Sequence, residues 1–206
     1  MFRTIRTGSP KKPALLVGLP CGTNRLPKSL VELDDSHGGR IKAAMRSRMF
    51  KGGLKDVVIE GDDVVLVGLG PSGELDLDQI RQLGGRLVTL LHRAEISGLD
   101  VRLHEVIPRK VGDSDAIGQA LAEGMVLANW VVDFFDGKAT KRSSPTGSLS
   151  IGSADNQMRG GLRRGIVLAE STNEARRIAA TPPNICTPAW VAQQARAASR
   201  KHGLQC

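Results

Sequence analysis

Apolar and polar positions follow two different periods along the first 130 residues, and the alternation between them predicts an α/β fold. Short apolar runs rich in β-branched residues are typical of buried strands. Longer stretches with apolar residues three or four apart predict amphipathic helices. Strands alternating with such helices indicate a mixed or mostly parallel sheet flanked by helices. The predicted strands are 14–19, 57–59, 64–67 and 101–106, and the predicted helices are 38–50, 76–94 and 113–132.

The pattern changes from Gly137 to Arg164, where Lys, Arg, Ser, Gly and Pro dominate and only Leu149–Ile151 resembles a strand. Such composition is typical of a linker or of the edge of a sheet. Two more helices are predicted beyond it, at 165–180 and 188–202, with a proline hinge between them. The sequence therefore divides into an α/β domain at 1–136, a basic linker or edge segment at 137–164, and the incomplete start of a second α/β domain at 165–206.

The last predicted helix is strongly punctuated. Thr187 can cap its free amides, Pro188 suits the first helical position and Gly203 can close its C-terminus. An apolar stripe on or near one side of this helix needs a partner surface, and without one the helix should be loosely held. The stripe consists of Trp190, Val191, Ala195 and Ala198.

Composition is that of an ordinary folded protein, with 40% hydrophobic and 24% charged residues among 206. Aromatic residues make up 3% and Tyr is missing, which leaves little material for stacking nucleic-acid bases. The net charge of +8 lies in the last third, because residues 1–137 hold 18 basic and 18 acidic side chains and residues 138–206 hold 11 and 3. This basic end suits phosphates, but a solvated linker or a face for an acidic partner domain is the simpler interpretation.

Several signals favour a cytoplasmic protein. Cys21, Cys186 and Cys206 are too few and too widely spaced for a disulfide framework or a zinc ribbon. The apolar run Ala14–Leu19 is too short for a signal-peptide core. The charge-free stretch 178–195 contains three prolines, so we predict no membrane span.

The segment Gly68–Gly73 matches the spacing of a dinucleotide-binding turn between a strand and a helix. Pro71 removes one amide donor from this loop, and Glu95 lies at the end of the next helix instead of at the tip of a strand, where a ribose-binding carboxylate belongs. A structural glycine turn, capped by Ser72 or Asp76, accounts for the segment without a ligand. Binding of a nucleotide or of ADP-ribose stays open as an alternative function.

No catalytic or metal-binding set can be assembled from the remaining polar residues. The pairs Asp34-Asp35 and Asp62-Asp63 lie in turn contexts, and adjacent side chains point in different directions, which makes them poor paired ligands. The histidines are scattered and have no second ligand at zinc-site spacing; they are His37, His92, His104 and His202.

The segment from Asn173 to Ala192 has the most specific pattern. It runs from an Asn and an Ala-Arg pair through Pro182-Pro183-Asn184 to Thr187-Pro188 and a Val-Ala helix, and it resembles the entry to the catalytic domain of leucyl aminopeptidases. Val64–Gly70 is similar to that family's glycine-ended strand. The stretch Ala120–Trp130, continuing through Phe134, Phe135 and Lys138, is similar to its helix and aromatic-Asp-x-Lys corner.

This resemblance implies a cytoplasmic, usually hexameric exopeptidase in which a macrodomain-like N-terminal domain precedes a catalytic domain. Two divalent metals, Zn or Mn, would activate a water and polarise the scissile carbonyl of a peptide substrate. The family's metal-binding carboxylates and lysine belong to motifs beyond the corner at Pro182, and no position here matches them. We therefore assign no catalytic, cofactor-binding or metal-binding residue, and we predict that the 206-residue chain alone has no peptidase activity. The alternatives are the nucleotide or ADP-ribose module and a basic nucleic-acid-binding protein, the latter with strongly salt-dependent affinity.

Overall fold

A six-stranded mixed sheet forms the centre of the computed structural model, which describes residues 1–131 and 147–205. The strands are Thr4–Thr7 (β1), Ala14–Leu19 (β2), Val57–Glu60 (β3), Val64–Gly68 (β4), Gly98–Val101 (β5) and Ser148–Gly152 (β6). The helices are Val31–Ser36 (α1), Arg40–Met45 (α2), Leu77–Arg93 (α3), Ser114–Asn129 (α4), Asn156–Ala180 (α5) and Pro188–His202 (α6), with 3₁₀ turns at Lys28–Leu30 and Leu103–Glu105.

The strand order is β1-β6-β5-β2-β4-β3, and only the β3–β4 pair among these is antiparallel. The antiparallel pair is a hairpin around Glu60–Asp63, a turn-rich spacer that is compatible with either a hairpin or adjacent strands. The prediction of an α/β fold with a mixed sheet is therefore confirmed. The likeness to a macrodomain stays a prediction.

The strand β2 is buried on both faces because helices cover the sheet on two sides. Leu16 packs with α3, α4 and α5 in the larger core, whereas Leu15 and Val17 pack with Ile41 of α2 in the smaller one. All six residues of β2 are buried, which explains why its apolar run is continuous and not alternating.

Three long helices lie side by side on one face, and glycines allow them to approach closely. A Cβ on Gly124 of α4 would lie 1.8 Å from the carbonyl oxygen of Arg81 in α3. A Cβ on Gly161 of α5 would lie 1.9 Å from the carbonyl oxygen of Asp115 in α4. Each helix begins at an aspartate whose carboxylate accepts a backbone N–H of the first turn, namely Asp76, Asp113 and Asp155.

Several observed elements differ from the predicted ones. The predicted strand 101–106 is β5 followed by a 3₁₀ turn, because the sheet pairing ends where the Arg102 amide donates to the Leu16 carbonyl at 2.9 Å. The predicted helix 38–50 is shorter than expected: it begins at Arg40, after Gly39 with a left-handed φ of 77°, and ends at Met45 as α2, and the preceding helix α1 was not predicted. The strand β1 was missed because its short run is mostly polar and exposed.

In the described part of the basic segment 137–164, the observed elements also differ from the predicted ones. Its strand β6 pairs with β1 on one side and β5 on the other, so it is not edge material. The helix predicted from Gly165 begins at Asn156, because the glycines that suggested a linker face α4. The boundary proposed at residue 164 thus falls inside α5, and the division into domains stays a prediction. Phe134, Phe135, Lys138 and the remainder of 132–146 lie outside the described residues.

Candidate functional site

The glycine loop Gly68–Gly73 lies at the carboxyl end of β4, where open α/β sheets commonly bind ligands. Its backbone amides are already engaged. The amide of Gly68 donates to the Asp56 carbonyl at 2.9 Å, that of Leu69 to Leu19 at 3.0 Å, and that of Gly70 to Gly52 at 2.8 Å. Pro71 has no amide hydrogen to donate. A phosphate could therefore reach few free donors in this loop, and the nucleotide alternative is not supported.

The space beside this loop is a small, mainly apolar cavity of about 110 Å³. Its walls include Leu69 and Leu75 on one side and Val106 and Val111 on the other, with Lys110 as its charged group. Gly70 is held in a left-handed conformation at φ 76°, and a Cβ there would lie 2.9 Å from the Leu54 side chain. The glycines accordingly serve the turn and its packing.

One aspartate of each acidic pair that the sequence offers has a structural partner. The Asp34 side chain is fully buried and accepts the Lys42 amide at 3.0 Å, with the Lys42 ammonium also at 3.0 Å from its second oxygen. Asp63 forms an ion pair with Arg40. These carboxylates join α2 to α1 and to the β3–β4 hairpin.

Each of the four histidines has a different environment. A ring nitrogen of His37 lies 2.8 Å from the Leu33 carbonyl, and His92 contacts the Phe2 ring edge-on with centroids 5.2 Å apart. His104 lies 3.5 Å from the Glu105 carboxylate, and His202 is exposed at the end of α6. Within residues 1–131 and 147–205, no three His, Cys, Asp or Glu residues are placed to hold a metal ion. The described residues thus do not fit the two-metal centre that the resemblance implies.

Part of the basic surplus is used within the helical layer. Arg164 of α5 forms an ion pair with Asp115 of α4 and donates to Gln119 at 2.8 Å. Arg81 of α3, which lies outside the basic last third, likewise donates to the Glu123 carboxylate of α4 at 2.8 Å, and this hydrogen bond raises the pKa of the Arg81 guanidinium. These arginines bind neighbouring helices instead of presenting a free basic face. Lys138, Lys141 and Arg142 lie outside the described residues.

The proline corner from Thr181 to Pro188 joins α5 to α6 by local hydrogen bonds. The Thr181 hydroxyl donates to the Arg177 carbonyl at 2.7 Å, which closes α5. The Pro182 carbonyl accepts the amides of Ile185 at 2.9 Å and Cys186 at 2.8 Å. Thr187 accepts the Trp190 amide on its hydroxyl at 3.3 Å. The predicted cap at Thr187 and the predicted left-handed Gly203 are both confirmed.

Two adjacent arginines at the end of α5 contact different helices. The Arg176 guanidinium lies 5.7 Å from the Trp130 ring centre and donates to the Leu127 carbonyl at 3.1 Å. The Arg177 guanidinium lies 5.3 Å from the Trp190 ring centre. In the sequence, both arginines stood out only as part of the family resemblance. The sequence signal that could have indicated these contacts is a pair of adjacent arginines near the end of a predicted helix, with one tryptophan before that helix and another after it.

The fold is an α/β sheet with α3, α4 and α5 packed on one face, and α6 follows α5 after the proline corner. A family model described as the N-terminal domain of the cytosol aminopeptidase family matches residues 17–139. The match spans more than half of the chain, so the chain belongs to the cytosol aminopeptidase family. The resemblance inferred from the proline corner and the glycine-ended strand is thereby confirmed.

Curated relatives align with almost the whole chain. A probable cytosol aminopeptidase of Aquifex aeolicus is 27% identical over 185 residues, covering 87% of this chain and 36% of the relative. One of Geobacter sulfurreducens is 28% identical over 203 residues, covering 94% of this chain and 40% of the relative. The chain therefore spans about two fifths of the length of the relatives it matches.

Solved structures share the fold. A mutant of tomato leucine aminopeptidase superposes with a TM-score of 0.62 at 21% identity, covering 97% of this chain and 42% of that one. The bottromycin maturation enzyme BotP in complex with Mn gives a TM-score of 0.65 at 21% identity, covering 94% and 37%. Among the described helices, none combines the length and the apolar content needed to span a bilayer.

Proposed function

We propose that this chain is the N-terminal part of a leucyl-type aminopeptidase, a metal-dependent exopeptidase that releases N-terminal amino acids from peptides. The observation that carries the proposal is the family match at 17–139 together with relatives that extend well beyond the aligned region. The domain would act in the cytoplasm, as the relatives' name suggests, and in an assembly that we expect to be hexameric.

The chemistry of this proposed enzyme belongs to the part of the relatives that the chain does not cover. Two divalent ions, Mn or Zn, would supply Lewis-acid activation of water and of the peptide carbonyl. We propose that the carboxylates holding them lie outside this sequence, because at 1–131 and 147–205 no three His, Cys, Asp or Glu residues are placed to hold a metal ion. The role of this chain is then to fold independently and to present α6.

Charge and exposure support a partner surface beside α5 and α6. Val167 of α5 is 57% exposed, and Val191 of α6 is 40% exposed. The stripe predicted on α6 is partly covered only at Trp190. An acidic, partly apolar surface of the catalytic region would complement these basic helices.

Sequencing the DNA beyond the codon for Cys206 tests the proposal directly. We expect an open frame that encodes a metal motif containing Lys and Asp, and we expect the protein expressed from that longer frame to hydrolyse leucyl-p-nitroanilide when Mn²⁺ or Zn²⁺ is added. A stop codon directly after Cys206, or a continuation without acidic metal ligands, would contradict the assignment.

A further inference from the structure

The direction of α6 depends on few contacts. Its described side chains are exposed or half-buried along its full length, so burial of an apolar face does not hold it against the domain. The contacts that do reach it lie in its first two turns. The contacts at the corner between α5 and α6 therefore determine the direction of α6.

Arg177 supplies those contacts from the last turn of α5. Its guanidinium lies 5.3 Å from the ring centre of Trp190, and one terminal nitrogen donates to the Gln194 side-chain oxygen at 2.9 Å. Trp190 and Gln194 are four residues apart, so they share one face of α6. On the α5 side, the Arg177 Nε donates to both Glu174 carboxylate oxygens at 3.1 Å. One planar group thus links the two helices.

The neighbouring residues hold the end of α5 to α4. The helix α4 ends at Asn129 with Trp130 extended, so its last carbonyls lack partners within the helix. Asn173 donates to the Val126 carbonyl at 3.0 Å, and Arg176 donates to the Leu127 carbonyl at 3.1 Å. Because α4 is part of the larger core, these bonds hold the end of α5, which carries Arg177, in a fixed position relative to the domain.

We propose that Arg177 is a positioning residue that fixes the direction in which α6 leaves α5. The consequence rests on the proposed function: in the longer enzyme, α6 would carry the chain into the catalytic region, and its direction would set where that region docks. The side chain must be arginine for this role, since only a planar guanidinium stacks on an indole while donating in its own plane to Glu174 and Gln194.

Residual dipolar couplings and amide exchange on the ¹⁵N-labelled chain test the proposal. In the unaltered protein, we expect one alignment to fit the couplings of α3, α4, α5 and α6 together. In Arg177→Ala, the α6 couplings should shrink towards zero, and the amides of 191–194 should exchange roughly tenfold faster, as expected for the loss of one cation–π contact and one hydrogen bond. Arg177→Lys should give an intermediate result.

Two comparisons keep the test decisive. Arg163→Ala removes an exposed arginine of the same helix for which no contact is described, and it should change neither measurement. The double variant W190A/Q194A removes the α6 side of the link without touching α5, so it should reproduce Arg177→Ala even if that variant folds poorly. Unchanged α6 couplings in the double variant would overturn the proposal. None of these results depends on whether the longer protein is an aminopeptidase, so the two proposals fail separately.

Discussion

Replacing Gly124 by alanine tests the packing that holds the three long helices together. At this position α4 crosses α3 so closely that a Cβ would lie 1.8 Å from the Arg81 carbonyl oxygen, 2.7 Å from its carbonyl carbon and 3.1 Å from its Cα. All three are backbone atoms, so no side chain can rotate away. The two helices must instead separate, which also loosens the reciprocal contact in which a Cβ on Gly84 would lie 2.2 Å from the Leu121 carbonyl oxygen.

The expected change follows from two opposing terms. Alanine is favoured over glycine in an open helix by about 0.8–1 kcal/mol. Overpacking of a well-packed interior costs about 1–3 kcal/mol, occasionally more, and here the clash is with main chain, so we place it at or above the upper value. The net loss of unfolding free energy is then about 2 kcal/mol, which for a chain of this size lowers Tm by roughly 4–8 °C.

Urea unfolding followed by far-ultraviolet circular dichroism, with calorimetry for Tm, measures this loss. Gly160→Ala is the matched control, because Gly160 is an exposed helical glycine whose added Cβ would meet only the Asp115 carboxylate oxygen at 3.4 Å. That variant should be unchanged or up to about 1 kcal/mol more stable. If Gly124→Ala is as stable as Gly160→Ala, the close approach of α3 and α4 is not as described.

Further predictions concern single side chains. Leu16→Ala, in a residue that is fully buried in the central strand, should lower the unfolding free energy by about 2–5 kcal/mol in the same urea assay. Asp155→Ala should cost about 1 kcal/mol by removing the cap on the Met158 amide, and Asp155→Asn should recover most of it. Asp34→Ala should cost about 1–3 kcal/mol, because the partly buried Lys42 amide loses its acceptor. Titration with ADP-ribose in a calorimeter should give no binding heat, since three amides of the glycine loop are already engaged; saturable heat would show that the loop does bind a nucleotide.

The sequence was sufficient for elements whose periodicity is strong and uninterrupted. The helix α3 was predicted at 76–94 and spans Leu77–Arg93, because its apolar stripe and its cap at Asp76 are both local signals. The strand β2 was predicted with its observed bounds, since a short continuous apolar run between prolines is typical of a strand buried on both faces.

Other features depended on partners that are distant along the chain. Gly161 suggested a linker, but it is a helical residue that fits against the Asp115 backbone of α4. The glycine loop at 68–73 matches a nucleotide-binding pattern, and only its bonds to Gly52 and Asp56 show that it is a structural turn. The sequence favoured a structural turn at 68–73 but could not supply these bonds, and it did not place Gly161 in a helix, because local patterns do not contain contacts between distant residues.

Hydrolysis of leucyl-p-nitroanilide by the purified 206-residue chain, with Mn²⁺ or Zn²⁺ added, tests the central claim most directly. The chain is held to be an accessory domain of a cytosol aminopeptidase, with the two-metal centre supplied by a region that it does not contain. We predict that, at any protein concentration, the rate of hydrolysis does not exceed the rate in metal-containing buffer without the protein. Turnover that rises in proportion to the chain and is abolished by a chelator would contradict this account.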